Sequence, residues 1–170
     1  AHKIYGLKGS GVLYKKTSTS LVPLINGGQQ EHQLRGGTSN TATHTMFAKT
    51  LRLALENLEQ KYQYVTSLNH YIREQLTQIP DIVINTPSEH VSPYILNFSC
   101  VGYKPEVILH ALEMYECYVS TKSTCSSHKN DISRTLQAIR ISFSHHTTQD
   151  ELDEFLFYLK KTLKTIKKQR

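Results

Sequence analysis

A mixed α/β chain whose strands gather in a small α+β unit is predicted by three observations. Apolar residues Phe47, Leu51, Leu55, Leu58, Tyr62, Val65, Leu68, Ile72 and Leu76 recur at spacings of three and four, the period of a helix from about Thr43 to Gln78. Beyond Pro80 the pattern changes to short β-type runs separated by helical stretches. The last stretch opens with Thr148 and, three residues later, Glu151, the spacing of a capping box.

Taken in order, residues 11–16 alternate as a short strand would after the turn at Gly9 and Gly11, and residues 26–40 form a polar, glycine-rich loop. Fifteen structureless residues inside a compact domain point to binding or to another chain that holds them. The 43–78 helix exceeds ordinary globular lengths, fits a spine between two domains, and is expected to kink where one apolar face hands over to the other. Strands are expected around residues 82–85, 94–99, 118–120 and 139–144. Pro105 suits a first helical turn, with Val107, Ile108, Ala111, Leu112 and Tyr115 as the buried face. In the final helix Leu152, Phe155, Leu156, Leu159, Leu163 and Ile166 form the core stripe, with Asp150 and Asp153 near its positive end and lysines near its negative end. The expected organisation is therefore residues 1–42, the connecting helix 43–80, and a small α+β domain 81–170.

With 170 residues, 38% apolar and 20% charged, the chain is of globular rather than disordered composition. No apolar stretch approaches the roughly 20 residues of a membrane span, and the N-terminus lacks the layout of a secretory signal, so a cytoplasmic location without membrane association is expected. Much of the net charge of +6 comes from Lys160, Lys161, Lys164, Lys167, Lys168 and Arg170. On a helix these flank an apolar stripe, as a solvated face and tail would. Docking to an acidic protein or to RNA is the alternative, but no RNA-binding or helix-turn-helix signature accompanies the run, and direct nucleic-acid binding is not expected.

Cys100, Cys117 and Cys125 are odd in number and form no CxxC pair, which supports neither a disulfide framework nor a zinc knuckle. Cys125 follows Ser120-Thr121-Lys122-Ser123-Thr124, a run of small polar residues suited to an exposed loop, whereas Cys100 and Cys117 read as small buried hydrophobes. Lys122, three residues before Cys125, either favours a thiolate there or points to solvent. Arg140 alternates with Ile139 and Ile141 on a strand, where its guanidinium can clamp a carboxylate or simply face solvent. Arg35-Gly36-Gly37-Thr38 is either a plain turn or a place where backbone amides approach an anion. His145 and His146 are adjacent on an expected strand, point to opposite faces and lack further donors at ligand spacing, so no metal site is expected. Lys3, beside His2 and before glycines, is by itself a solvent lysine.

The ordered segments AHKIYGLKGSGVLY, INGGQQEHQLRGGTSN, YILNFSC, STKSTCSS and IRISFSHHTTQDELD change that reading. Together they resemble the C-terminal half of the NifS and IscS-like cysteine desulfurases, members of the class V aminotransferase family of pyridoxal-phosphate enzymes. The resemblance implies fold type I of the pyridoxal-phosphate transferases. Residues 1–42 would then be the end of the large cofactor domain, joined by a long helix to the small C-terminal domain that carries the cysteine loop. It also implies roles: Lys3 as the catalytic Schiff-base lysine that carries pyridoxal 5'-phosphate, with His2 beside it, and Thr38 binding the phosphate of the other subunit of a homodimer. Arg140 would bind the substrate carboxylate, and Cys125 would form a persulfide.

The implied activity is conversion of L-cysteine to L-alanine with sulfur passed to an acceptor protein, either a cluster scaffold or a tRNA-thiolation protein. Gln29 and Gln33 replace glycines common in relatives, and Leu7 a common proline. Family residues that stack on the cofactor ring lie upstream of Ala1, so this portion by itself is expected to be inactive and to bind the cofactor weakly. A selenocysteine lyase, another class V enzyme, or a cofactor-free scaffold piece are the alternatives.

Overall fold

The computed structural model describes residues 1–121 and 138–168. They divide into two units, residues 1–58 and the unit from Glu59 onward.

In the first unit, helix α1 spans Thr41–Leu55, and the Asn40 side chain caps it by accepting from the Thr43 backbone N–H at 3.2 Å. The predicted strand at residues 11–16 is corrected: no ladder partner among the described residues pairs with it, so Val12, Leu13 and Tyr14 form an exposed run without strand structure. Alternation alone does not make a strand, because backbone groups must also find a neighbour. The loop at 26–40 contains a short turn at Gln30–Gln33, followed by a single bridge between Ile25 and Arg35.

The continuous helix expected over 43–78 is two helices. α1 ends at Leu55 and α2 runs Leu58–Thr77, because Glu56 turns extended (ψ 125°) and Asn57 adopts φ 54°. Asparagine is among the few residues that visit the left-handed region readily, so the backbone breaks although the apolar spacing continues through Leu55, Leu58 and Tyr62.

The second unit is a helical layer on a three-stranded antiparallel sheet. β1 (Ile82–Ile84), β2 (Ile95–Cys100) and β3 (Ala138–Ser142) lie in the order β1-β2-β3. Among the described residues, the run near Tyr118 contributes the bridge Ser120–Arg140, on the edge of β3 away from β2. α3 (Pro105–Glu113) and α4 (Gln149–Thr165) join α2 over one face of the sheet. Leu96, Phe98, Ile139 and Ile141 from the sheet meet Val65, Ile72 and Leu76 from α2, Ile108 and Leu112 from α3, and Leu156 and Leu159 from α4. Each such side chain contributes about 1.5–3 kcal/mol by burial. Val107, expected in the core, is exposed, because it sits one residue off the Ile108–Leu112 stripe.

The capping box of α4 is complete. Glu151 N–H donates to Thr148 Oγ1 at 3.2 Å and Thr148 N–H donates to Glu151 Oε2 at 2.7 Å. Among the described residues, no helix is long and apolar enough to cross a membrane. Thr148→Ala is expected to lower unfolding free energy by about 1 kcal/mol, read as a lower urea midpoint at unchanged slope; an unmoved midpoint would contradict the cap's role.

Candidate functional site

Lys3 lies in the one-turn 3-10 segment His2–Ile4, which closes through Tyr5 in the left-handed region at φ 67°. Gly6 follows, and its backbone runs so close to α1 that an added Cβ would sit 2.9 Å from Thr50 and 2.7 Å from the Ala1 side chain. A glycine is therefore required for this turn to dock on α1. The turn is tied further by Gly6 N–H donating to the Ala1 carbonyl at 2.9 Å. Both Lys3 and His2 are exposed. The Lys3 amine makes no hydrogen bond or ion pair to a described residue.

Thr38 closes a second element of the same unit. Gly36, the one buried residue in positions 1–58, packs backbone to backbone on Gly27, and a Cβ there would lie 2.9 Å from the Gly27 Cα. Its N–H donates to the Ile25 carbonyl at 3.1 Å, and the Arg35 side chain donates to the Gly36 carbonyl at 2.6 Å. Thr38 is left exposed after this fold-back. Upstream, Glu31, His32 and Gln33 all have positive φ (50°, 57° and 62°). At Gln33, as at any residue other than glycine, that conformation is strained by about 1–2 kcal/mol.

Arg140 sits on β3, in the second unit, and faces away from the core, as the alternation with Ile139 and Ile141 predicts. Its backbone exchanges hydrogen bonds with Ser120, N–H to O at 2.6 Å and O to N–H at 3.1 Å. Its Nε is buried yet has no hydrogen-bond partner among the described residues. Across from it in register stands Asn97 of β2. Asn97 Oδ1 accepts from Asn85 Nδ2 at 2.7 Å, and the same Nδ2 donates to Ser99 Oγ at 2.9 Å. This polar face was missed in the sequence, although its signal was present in ILNFSC, where Asn97 and Ser99 alternate with apolar residues.

Cys125, with Lys122, lies outside the described residues. The two described thiols are free. Burial first, then the nearby Asp81 carboxylate, pushes the Cys100 thiol up to about 12. Burial and then Glu154 also raise Cys117. Both are thereby kept as thiols at neutral pH. His145 and His146 are corrected: β3 ends at Ser142, so they occupy a turn rather than a strand, and their rings lie 4.0 Å apart instead of on opposite faces.

The family profile described as Aminotransferase class-V matches residues 1–155. A NifS/IcsS protein homolog of Lactobacillus delbrueckii subsp. bulgaricus is 37% identical over 168 residues, covering 92% of this chain and 44% of the relative. The cysteine desulfurase IscS of Dictyoglomus turgidum is 34% identical, over 98% of this chain and 45% of the relative. Among solved structures, a NifS-like protein superposes with a TM-score of 0.84 at 31% identity, covering 97% of this chain and 45% of its own. The cysteine desulfurase CsdA of Escherichia coli, 19% identical, shares the fold with a TM-score of 0.74. The chain spans under half the length of these relatives.

Cys100 in the native chain is expected to resist iodoacetamide at pH 8 and to label in denaturant; prompt native labelling would overturn its burial as a neutral thiol. Its folded pKa lies above the unfolded value of about 8.5, so the stability from keeping it neutral is complete below that value and lost as pH climbs toward about 12. The stability difference between wild type and Cys100→Ala, measured by urea unfolding, should therefore shift against the wild type between roughly pH 9 and 11.

Proposed function

Because this chain belongs to the class V aminotransferase family, we propose that it is the C-terminal portion of a pyridoxal-phosphate cysteine desulfurase, which converts L-cysteine to L-alanine and carries sulfur on Cys125. The observation that carries the reading is Arg140, a half-buried guanidinium with its Nε shielded from solvent and unpartnered among the described residues. A buried unpaired donor on a cation is costly and calls for an anionic acceptor. The α-carboxylate of an amino acid is such an acceptor.

Fit to pyridoxal 5'-phosphate rests on two side chains. Lys3 offers an accessible amine on a turn anchored by Gly6. Thr38 offers an accessible hydroxyl next to the Gly27–Gly36 close approach and to Gly37, whose φ of 107° only glycine adopts with ease. Lys3 would carry the cofactor through its amine, with His2 next to it in the chain helping to hold it, and Thr38 would hold the phosphate of the other subunit of a homodimer. When bound, the cofactor supplies an electron sink for the substrate α-carbon.

The residues of this chain do the rest. Arg140 orients the substrate through its carboxylate with two parallel hydrogen bonds. The Lys3 amine, once free and neutral, takes the Cα proton and returns it. The Cys125 thiolate attacks the substrate sulfur, so that a sulfur–sulfur bond forms as the carbon–sulfur bond breaks; the electron pair of that bond stays with the β-carbon, which takes up a proton, and alanine leaves. The persulfide then passes to an acceptor protein, either a cluster scaffold or a tRNA-thiolation protein. That Cys100 and Cys117 are held as neutral thiols supports Cys125 as the carrier. Residues 1–42, 43–80 and 81–170 serve in this reading as the end of a large domain, a connecting helical segment and a small domain, in a cytoplasmic enzyme.

In the enzyme completed by the upstream half that its relatives carry, Cys125→Ser should keep the cofactor and lose alanine formation from L-cysteine; undiminished alanine would refute the assignment. Lys3→Ala should abolish the imine absorption there, and persistence of that band would overturn the lysine's role. The 170 residues alone are expected to be inactive and to take up pyridoxal phosphate weakly or not at all, which colour and intact mass will decide.

A further inference from the structure

We infer that Asn97 is a second carboxylate-binding residue, donating from Nδ2 to the same anion that Arg140 clamps; this rests on the reading of Arg140 as the carboxylate site.

The backbone places the two side chains together. Asn97 spends its own backbone groups on the β1 side: its carbonyl accepts from Asn85 N–H at 2.8 Å and from Thr86 N–H at 3.2 Å, and its N–H donates to Thr86 Oγ1 at 2.8 Å. Arg140 spends its backbone groups on the opposite edge, with Ser120. Residues that face each other in register and bond outward form a non-hydrogen-bonded antiparallel pair. In such pairs the Cα atoms come to about 4.5 Å and the side chains are at their closest. Asn97 and Arg140 therefore stand side by side on the polar face.

The amide is also oriented. Because Asn97 Oδ1 accepts from Asn85 Nδ2, itself anchored on Ser99 Oγ, the acceptor end of Asn97 is turned toward β1. The donor end, Nδ2, is turned the other way, toward the β3 side. Neither this Nδ2 nor the Arg140 guanidinium bonds to a described residue, so the pair presents donors and no acceptor. A side chain serving only to stitch β1 to β2 would need the Asn85 contact alone. A donor amide beside a cation is suited to a carboxylate, whose two oxygens together take more hydrogen bonds than one guanidinium edge supplies. Asn85 is then the positioning residue behind Asn97.

The test uses the 170-residue chain with ¹⁵N-labelled arginine, in which the Arg140 Nε–Hε resonance is assigned by its loss in Arg140→Lys. Titration with L-alanine should shift that resonance to saturation, and L-alanine methyl ester should not. Asn97→Ala should weaken the L-alanine affinity about tenfold, the size of one hydrogen bond to a charged partner. Asn97→Asp should abolish the shift, since its carboxylate would occupy Arg140 itself. Dispersed amide spectra of each variant separate lost affinity from lost fold, and Asn97→Ser covers the case in which Asn97→Asp does not fold. Wild-type affinity in Asn97→Ala, while a second variant, Arg140→Gln, no longer binds L-alanine by competition calorimetry, would overturn Asn97 and leave Arg140 standing. No shift in the wild type, or equal shifts with the ester, would overturn the reading of Arg140 and the inference with it.

Discussion

Sliding β3 by one residue along β2 would put Arg140 among Leu96, Phe98 and the helices and would turn Ile139 and Ile141 out to the polar face. A guanidinium buried without a partner and two isoleucines returned to water would together cost several kcal/mol, so one register is strongly selected. That single constraint fixes two things at once. The apolar half of β2 and β3 closes the core under α2, α3 and α4, and the polar half lines up Arg140, Asn97, Ser99 and Asn85. The site on this sheet is thus a by-product of the same pairing that gives the unit its stability, which holds its donors on rigid elements.

The first unit is built on a different principle. It has no buried apolar side chain among residues 1–58, and its close contacts are made by glycine backbone: Gly36 on the Gly27 backbone, and Gly6 against the side chains of Thr50 and Ala1. Its elements are shaped by left-handed residues, Tyr5 beside Lys3 and Glu31 to Gln33 ahead of Thr38. Conformations of this kind persist where surroundings hold them and concentrate at sites that bind ligands. The two units therefore contribute differently, one with donors preset by a packed sheet, the other with groups carried on tight turns.

Where side-chain periodicity meets a packed core, the sequence was readable. The α4 stripe, its capping box, the Pro105 start of α3 and the opposite facing of Arg140 and Ile139 all follow from apolar spacing and hydrogen-bonding capacity, and all appear as expected. The errors fall where the deciding partner is not local. Val12 and Tyr14 alternate like a strand but have no ladder among the described residues. The break at Asn57 is a backbone choice that leaves the apolar spacing intact, so periodicity does not register it. Histidines 145 and 146 were placed on a strand that ends at Ser142, and the geometric argument drawn from that placement fails with it. For the site, Lys3 was singled out only through likeness to a family, and that likeness decided between open readings at Thr38 and Cys125, whereas Arg140 and its amide neighbour are explicable from the sheet itself.

Sulfur chemistry imposes opposite demands on thiols within one small domain. A core needs cysteines that stay neutral, and a sulfur carrier needs one that ionises and can meet two different partners. Cys100 satisfies the first demand, because it lies at the end of β2 on the buried face, with the Asp81 carboxylate adding to the penalty on a thiolate. Cys117 is raised in the same sense by burial and Glu154. Had either thiol been set in a cationic, open position, it would compete for the sulfur that the proposed carrier must deliver. Burial, with a negative charge near each, therefore keeps both described cysteines protonated and poor nucleophiles at neutral pH, which is in keeping with the proposal that Cys125 carries the sulfur.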